Sequence, residues 1–576
     1  MTHTKKASPR RLLAAPQTLF FSALRERFRQ GYTSADLRAD LLSGLVVGLV
    51  AIPLGMALAI ASGVPPQNGL YTVIVAGALV ALLGGSRCQV TGPTAAFVVI
   101  LAPISARYGL GGLCLAGLMA GVILVVMGLA RLGRLIEFIP YPVTTGFTSG
   151  IAVVIATLQL KDFFGLQVTG NPESFAERVH ALVSAAPSAQ ASEAGIGLVT
   201  LAVLLLWPRI TRRIPGPLVA LGVGALSAVL LEKLVPGQAV ATIGSRFPPG
   251  IPQTTPTLSL PWALPGPGGA PLVPSFGLLR ELLPHAFAIA MLGAIESLLS
   301  AVVADGMGHT RHDPDAELVA LGIGNIACPF LGGIPATGAL ARTATNIRFG
   351  ARSPLAALTH AAFTLLAVLF LAPWLSHLPM ASLAALLLLV AYNMSEIRHF
   401  THIVKVAPRA DVGVLLLCFF LTVAFDMVIG VTVGVVMASL LFMKRMAEMT
   451  SVHSLVGAYH PELTHPLPPS ILLYEIGGPL FFGAADRAMG AMASITPEVK
   501  TVILDLEDVP VMDATGLVAL ESAVTRLAAG NKRVYFASVQ AQPAKLLRKA
   551  GLMGEKSAIR SFSSTEEAIR AALSES

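Results

Sequence analysis

The sequence predicts an α-helical membrane protein that ends in a small α/β domain, and three observations lead to this prediction. Of the 576 residues, 54% are hydrophobic and only 12% are charged, whereas soluble domains contain about 25% charged residues. Apolar runs long enough to cross a bilayer recur along the first three quarters of the chain. After Arg445 the charge density becomes ordinary, and strand patterns alternate with helix patterns, as they do in α/β domains.

The transmembrane domain is predicted at 39–445, after a basic cytoplasmic segment at 1–38. It contains fourteen apolar segments, and some of these, such as 92–107 and 337–348, are too short for a full span of about 20 residues. The predicted segments are 39–61, 68–84, 92–107, 110–130, 141–161, 195–208, 216–234, 280–304, 316–331, 337–348, 355–375, 379–395, 411–425 and 427–443.

Lys and Arg accumulate in alternate connections between these segments, on the same side as the basic N-terminus. The positive-inside rule therefore predicts a multi-pass protein of the inner membrane, with both termini in the cytoplasm. This topology also explains the net charge of +8, and no basic stripe with interleaved aromatic residues indicates a nucleic-acid partner.

No motif in the chain indicates catalysis. The four cysteines are scattered without CxxC spacing, so we expect neither a disulfide framework nor a metal site. The sequence contains no nucleophile–base pair and no GxxxxGK(S/T) phosphate loop. We therefore expect no enzyme, no cofactor and no ATP-driven pump.

Residues 446–576 form the predicted cytoplasmic α/β domain. Strands are expected at 471–476, 501–509 and 533–538, and helices at 517–529, 541–550 and 564–574.

Two apolar segments are interrupted in the same way. The first reads RCQVTGPTAAFVVI (Arg87–Ile100) and the second reads GGIPATGALARTATNIRFGA (Gly332–Ala351). They are the third segments in two successive groups of seven, and because seven is odd, the two groups must be inverted relative to each other. Matched interruptions of this kind indicate a substrate site between the repeats.

The interruptions predict that the substrate is an anion. A helix that begins inside the membrane presents unpaired backbone N–H groups and a partial positive charge, so two such ends bind an anion without a buried lysine. Thr94, Ala95, Ala339 and Ala341 are small enough for a ligand to approach the backbone closely. The alternative is that glycine and proline here serve only helix packing.

Two charged residues lie in the interior of predicted spans, away from the span ends. Arg342, in the second interrupted segment, is expected either to bind a substrate carboxylate or to pair with a protein carboxylate or carbonyl. Glu296, in the middle of the eighth span, is expected to take up a proton together with the arriving anion, or else to form a fixed ion pair or hydrogen bond. Asn346, one helical turn after Arg342, fits a structural role equally well.

Linked motifs over nearly the whole chain carry a family resemblance. The stretches PPQNGLYTVIVAGALVALLGGSRCQVTGPTAA, IESLLSAVVADGM and ELVALGIGNIACPFLGGIPATGALARTATNIRFGARSPLAAL resemble the sulfate permease family of anion transporters, which includes solute carrier family twenty-six. The resemblance implies a homodimer whose subunits are seven-plus-seven inverted repeats, divided into core and gate domains. It also implies an elevator mechanism, with substrate held between the third and tenth spans.

The same resemblance supplies the candidate residues, position by position. Substrate contacts are expected from Thr94, Ala95, Ala96, Ala339, Leu340, Ala341 and Arg342, proton coupling from Glu296, and additional contacts from Leu54, Phe97, Ser300 and Asn346.

Three positions depart from the common family pattern. Leu54 stands where many relatives have a substrate-contacting Gln, and Ala339 and Ala341 stand where many have Ser. Loss of these polar contacts argues against sulfate and favours a larger, partly apolar dicarboxylate. The resemblance is accordingly to the family's dicarboxylate branch, in which the same replacements occur.

The C-terminal stretch DLEDVPVMDATGL resembles the strand–loop–helix of STAS domains, in which anti-sigma-factor antagonists are phosphorylated. Thr515 falls on the phosphorylatable position, where a phosphate would add about −1.5 to −2 charges at a helix start. The alternative is that Asp513 and Thr515 serve only as helix N-caps. A cytoplasmic partner of this domain is expected on the same resemblance.

Three functions remain open on the sequence alone. The leading hypothesis is proton-coupled uptake of four-carbon dicarboxylates, namely succinate, fumarate, malate or aspartate. The first alternative is transport of sulfate, bicarbonate or chloride by the same fold, with sodium as a further candidate for the coupling ion. The second alternative is a nontransporting anion sensor that signals through the STAS domain.

Overall fold

The computed structural model describes two compact units, Met1–Val435 and Val436–Ser576. Residues 1–19 of the predicted N-terminal segment lie outside the described residues. The described residues are 20–134, 140–168, 170, 174–211, 214–235, 238, 240–425, 427–448, 451–455, 467–481, 485, 495–554, 557 and 559–575.

The first unit consists almost entirely of helices. Within the described part of the chain, ten helices are long and apolar enough to cross a membrane. The elements are α1 (Ser22–Arg29), α2 (Ser34–Ala61), α3 (Pro66–Leu83), β1 (Thr91–Gly92), α4 (Ala95–Leu129), α5 (Tyr141–Phe164), α6 (Phe175–Ala185), α7 (Ala191–Ile210), α8 (Gly216–Leu234), α9 (Ile243–Arg246), α10 (Phe276–Gly308), α11 (Pro314–Phe330), β2 (Thr337–Gly338), α12 (Leu340–Arg348), α13 (Leu355–Leu375), α14 (Met380–Ser395), α15 (Ile397–Val406), α16 (Arg409–Ala424) and α17 (Met427–Glu448).

These elements are consistent with fourteen spans. The predicted segments 92–107 and 110–130 lie in a single helix, α4, which is broken at Gly109, where φ is 69° and ψ is −174°. The helical parts of the third and tenth segments begin later than predicted, because the residues before Ala95 and Leu340 form the short strands β1 and β2.

The helices of the first unit pack in two groups. Helices α2, α3, α4 and α10 to α13 pack mainly against one another, and α5, α7, α8, α14 and α16 form the second group. Both interrupted segments belong to the first group. This division matches the core and gate domains that the sequence predicts.

Helices α4 and α11 approach closely at a pair of glycines. A Cβ atom built on Gly121 would lie 2.7 Å from the carbonyl oxygen of Gly322, and a Cβ atom on Gly322 would lie 2.7 Å from that of Gly121. Because the obstacle is backbone in both cases, a side chain on either residue must push the helices apart.

We expect Gly322→Ala to lower the free energy of unfolding by about 1–3 kcal/mol, the usual cost of overpacking. Thermal unfolding of the detergent-solubilised protein measures the effect. Gly222→Ala in α8 is the control, since its Cβ atom would have no neighbour within 4 Å. Equal melting temperatures for the two variants would contradict the close packing of α4 on α11.

The second unit contains a five-stranded sheet with helices on both faces. Strand β3 (Ser451–Leu455) pairs antiparallel with β4 (Ile471–Gly477), and β4, β5 (Thr501–Asp505), β6 (Arg533–Ala537) and β7 (Arg560–Phe562) follow in parallel order. Strands β3 and β7 add to the three predicted strands. The remaining helices are α18 (Ala514–Ala529), α19 (Ala541–Lys549) and α20 (Thr565–Ser574).

Alternating side chains of β4 divide the core of this unit into two layers. Leu472 and Tyr474 pack in the layer that contains Leu520 of α18, whereas Leu473 packs in the layer that contains Ile569 of α20. This alternation follows from the two-residue period of a strand, and it confirms the α/β character predicted for the C-terminal region.

The start of α18 carries the candidate regulatory residue. The carboxylate of Asp513 accepts a hydrogen bond from the backbone N–H of Gly516 at 2.7 Å, and therefore caps the helix. Thr515, in the first turn, is exposed. Asp513 thus supplies the cap, and the Thr515 side chain is accessible.

We expect Asp513→Ala to destabilise α18 by about 1 kcal/mol, the usual value of an N-cap. Thr515→Ala changes stability by less than about 0.5 kcal/mol, as at an ordinary surface position. Hydrogen–deuterium exchange of the α18 amides in the full-length protein measures both effects. Faster exchange in the threonine variant than in the aspartate variant would reverse the assignment of the cap.

Candidate anion-binding site

A two-residue antiparallel bridge joins the two interrupted segments. Thr91 pairs with Gly338 and Gly92 pairs with Thr337, and the backbone N–H of Ala339 donates to the carbonyl of Val90 at 2.8 Å. Paired antiparallel strands hold their Cα atoms about 4.5–5.5 Å apart. Because the strands run in opposite directions, α4 and α12 leave the bridge at opposite ends, each within three residues of it.

Both helices begin without a side-chain cap. Thr94 is the N-cap residue of α4 and Ala339 is that of α12, and neither side chain bonds to an amide of the first turn. The first-turn N–H groups therefore need an external acceptor, and the helix dipole favours a negative one. Ala95 and Ala96 are buried, whereas Leu340 and Ala341 are exposed.

Arg342 extends from α12 to the segment that precedes α4. Its side chain is buried, and Nη2 donates a hydrogen bond to the carbonyl oxygen of Pro93. Nη1 has no hydrogen-bond partner in the described part of the chain. Gly92 leaves the necessary space, since a Cβ atom there would lie 2.6 Å from Nη1. Arg342 thus uses one donor to hold the two segments together, and Nη1 has no partner among the described residues.

Glu296 lies on α10 beside the start of α4. Its Oε2 atom accepts a hydrogen bond from the Thr94 hydroxyl at 2.7 Å, which explains why that hydroxyl does not cap its own helix. The charges of Glu296 and Arg342 also interact electrostatically. The carboxylate, the arginine and the uncapped start of α4 therefore form one connected group.

Three of the additional candidates are engaged in packing or internal hydrogen bonds, and Leu54 is half-buried on α2. Phe97 is fully buried, and a Cβ atom on Gly293 would lie 3.4 Å from its ring. The Ser300 hydroxyl is buried and donates to the hydroxyl of Thr343 at 3.1 Å. Phe97 and Ser300 therefore support the helices that carry the site.

Asn346 has the structural role that the sequence left open. Its side-chain amide donates to the carbonyl of Cys88 at 2.9 Å, and its Oδ1 atom accepts from the Ser43 hydroxyl at 2.7 Å. Asn346 is fully buried. It joins α12 to α2 and to the segment before β1, so it positions the second interrupted helix.

Several polar residues that hold the bridge were missed in the sequence. Thr343 accepts a hydrogen bond from the backbone N–H of Val90 at 3.0 Å. Gln89 donates to the hydroxyl of Ser297 at 2.6 Å, and Thr337 donates to the carbonyl of Gly293 at 2.8 Å. The sequence could have indicated these residues, since each is a polar residue within an interrupted apolar segment.

Comparison with known proteins identifies the family of the chain. A family model described as the sulfate permease family matches residues 37–418, and a STAS domain model matches residues 463–568. The chain is 41% identical over 504 residues to the putative sulfate transporter YvdB of Bacillus subtilis, which covers 87% of this chain and 92% of that protein. It is 28% identical over 549 residues to the bicarbonate transporter BicA of Picosynechococcus, with 91% and 92% covered.

Two solved structures resemble the fold. The murine solute carrier 26 family member A9 anion transporter, in its inward-facing state, matches with a TM-score of 0.82 at 19% identity, over 98% of this chain and 97% of that chain. The transmembrane domain of a cyanobacterial bicarbonate transporter, BicA, matches with a TM-score of 0.59 at 27% identity, over 71% and 98%. This chain therefore belongs to the sulfate permease family of anion transporters and carries a C-terminal STAS domain.

Proposed function

We propose that this anion transporter is a proton-coupled importer of four-carbon dicarboxylates such as succinate, fumarate, malate and aspartate. The observation that carries the proposal is a strand bridge that joins two uncapped helix starts, beside the Glu296 carboxylate and an Arg342 donor without a partner in the described part of the chain. The inner membrane, with both termini in the cytoplasm, is the proposed location. The functional unit is proposed to be a homodimer.

Substrate recognition follows from the donors at the bridge. One carboxylate of the substrate accepts hydrogen bonds from the first-turn N–H groups of α4 and α12. The second carboxylate accepts from Nη1 of Arg342, whose planar guanidinium suits a carboxylate. The carbon chain between the two carboxylates contacts the apolar side chains of Leu54, Ala339 and Ala341. An inorganic anion such as sulfate has no carbon chain to make these contacts.

Proton coupling follows from the position of Glu296. As a carboxylate it accepts from Thr94, whose hydroxyl adjoins the first-turn amides of α4. An anion bound at those amides repels this negative charge, and uptake of a proton by Glu296 removes the repulsion. Each bound anion is therefore accompanied by a proton at Glu296.

Alternating access is proposed to be an elevator movement. Both interrupted segments, Glu296 and Arg342 belong to the first helix group, which comprises α2, α3, α4 and α10 to α13. The whole site therefore moves as one body when this group moves against the second group. No helix of the second group supplies a residue to the site as proposed.

Uptake of labelled succinate into proteoliposomes, with the external solution more acidic than the lumen, tests the proposal. We expect succinate uptake that stops when the pH gradient is dissipated. Unlabelled malate and fumarate should inhibit this uptake at lower concentrations than sulfate or bicarbonate. An absence of succinate uptake, with sulfate or bicarbonate transported instead, would contradict the proposed substrate. Ligand binding without any transport would indicate a sensor.

The second candidate is transport of an inorganic anion, sulfate or bicarbonate. The observation in its favour is that the relatives at 41% and 28% identity are named as a putative sulfate transporter and a bicarbonate transporter. The same site would bind such an anion at the two helix starts alone. Arg342 would then have no second carboxylate to bind.

A further inference from the structure

A large charged cavity lies at the ends of α10 and α11, and it shares no lining residue with the anion site. Its volume is about 1200 Å³, slightly above the usual range of ligand pockets, about 300–1,000 Å³. The walls come from α1, from the turn that precedes β1 and from the junction of α10 with α11. A nucleotide or a lipid headgroup fits in this volume.

Four arginines line the cavity. Arg25 and Arg29 come from α1, Arg134 follows α4, and Arg311 lies between α10 and α11. All four are exposed, and Arg25 lies over the ring of Phe21, 5.9 Å from its centroid. No described carboxylate forms an ion pair with any of the four. Their positive charges are therefore available to a ligand.

The acidic residues in the same cavity are engaged elsewhere. Glu26 pairs with Arg87 at 2.8 Å, and Asp305 binds a histidine and a threonine in the turn that follows α10. Asp313 accepts from two first-turn amides of α11, and Asp315 accepts from the backbone N–H of the glycine before Arg134, at 3.0 Å. Each of these carboxylates is therefore held by a local partner, whereas the four arginines have no ion-pair partner among the described residues.

We propose that the cavity binds a ligand with two or more clustered phosphate groups. Guanidinium groups recognise phosphate through pairs of parallel hydrogen bonds, and four of them, supplied by three separate parts of the chain, surround a space wider than one small anion. The phosphates belong either to a lipid such as cardiolipin or to a soluble polyphosphate such as a nucleoside triphosphate. This site is independent of the transported substrate.

Binding to the full-length protein in phosphatidylcholine nanodiscs tests the proposal. Inorganic tripolyphosphate, titrated by calorimetry, probes the soluble source, and cardiolipin retention, measured by native mass spectrometry, probes the lipid source. The test variant is Arg29→Gln/Arg311→Gln. The charge-matched control is Arg209→Gln/Arg398→Gln, which removes two exposed arginines outside the cavity.

We expect the test variant to lose at least about tenfold in affinity for one of the two probes, because hydrogen bonds to charged groups are the stronger class. The affinity of the control variant should stay within about twofold of wild type. Loss of tripolyphosphate binding alone assigns a soluble ligand, and loss of cardiolipin retention alone assigns a lipid. Failure of both probes to bind wild type, or equal effects of test and control variants, overturns the proposal.

The thermal unfolding temperature of each variant shows whether it is folded. If the glutamine variant unfolds, Arg29→Lys/Arg311→Lys replaces it, since lysine keeps the charge and loses the paired hydrogen bonds. We then expect a smaller loss of affinity, of about threefold. No loss in this folded variant would count against the proposal.

Discussion

Replacement of Glu296 by glutamine is expected to abolish the accumulation of substrate that a pH gradient drives, while binding of the substrate remains. Glutamine keeps the size of the side chain and can still hydrogen-bond to Thr94, but it cannot take up a proton. A gradient of one pH unit supplies about 1.4 kcal/mol per proton, which corresponds to about tenfold accumulation. The accumulation ratio should therefore fall from about ten to about one.

Labelled substrate in proteoliposomes measures this ratio with and without a gradient. The matched control is Glu281→Gln, an exposed carboxylate on the same helix, α10, which should accumulate substrate like wild type. Because the variant still binds, exchange of labelled for unlabelled substrate should continue. Gradient-driven accumulation by the Glu296 variant would show that another group carries the proton.

Replacement of Arg342 by alanine should weaken the binding of dicarboxylates more than the binding of monocarboxylates. The variant loses the free Nη1 donor, and a hydrogen bond to a charged group is worth about 1.5–3 kcal/mol. We therefore expect KM for succinate to rise at least about tenfold. A monocarboxylate such as butyrate lacks the second charge, so its inhibition constant should rise less than about threefold.

Two further variants separate recognition from support. Arg348→Ala removes an exposed arginine at the end of the same helix and should leave KM unchanged. Arg342→Lys keeps the charge but not the fork that reaches both the Pro93 carbonyl and a ligand, so its KM should lie between wild type and the alanine variant. If Arg342→Ala lost affinity equally for dicarboxylates and monocarboxylates, Arg342 would serve only to hold α12 against the Pro93 carbonyl.

The backbone at the site was predictable from local signals. Gly and Pro, followed by small residues, interrupt two apolar segments at matching positions, and the structure places strands and helix starts there. Such interruptions depend on neighbours within a few residues, which a sequence displays directly. The exact helix starts were not predicted, since α4 and α12 begin three residues later than the predicted segments.

The pairing of side chains across the fold was not predictable in the same way. Thr94 and Glu296 are 202 residues apart, and nothing near either residue specifies the other. The hydrogen bond from the Arg342 side chain to the Pro93 carbonyl depends likewise on the strand bridge. The support given by Asn346 and Thr343 follows from the packing of α12 on other helices, which a single sequence does not encode in any short pattern.

The partners of Asp40, at the start of α2, were likewise not predictable from the sequence. A carboxylate near the end of a predicted span would ordinarily be solvated, yet Asp40 is fully buried. It accepts hydrogen bonds from the backbone N–H of Arg352 at 2.6 Å and from the Tyr32 hydroxyl at 2.7 Å. Desolvation by burial, together with the hydrogen bond to Asp40, raises the pKa of Tyr32 to about 12. The partner at 352 is distant in sequence.

The most direct test is a structure of the protein with bound bromosuccinate, whose bromine atom is located by anomalous scattering. We predict that one carboxylate lies within about 3 Å, an ordinary hydrogen-bond distance, of first-turn amides in both α4 and α12, with the second carboxylate at Nη1 of Arg342. A ligand that touches only one of these helix starts, or that binds away from both, would contradict the account.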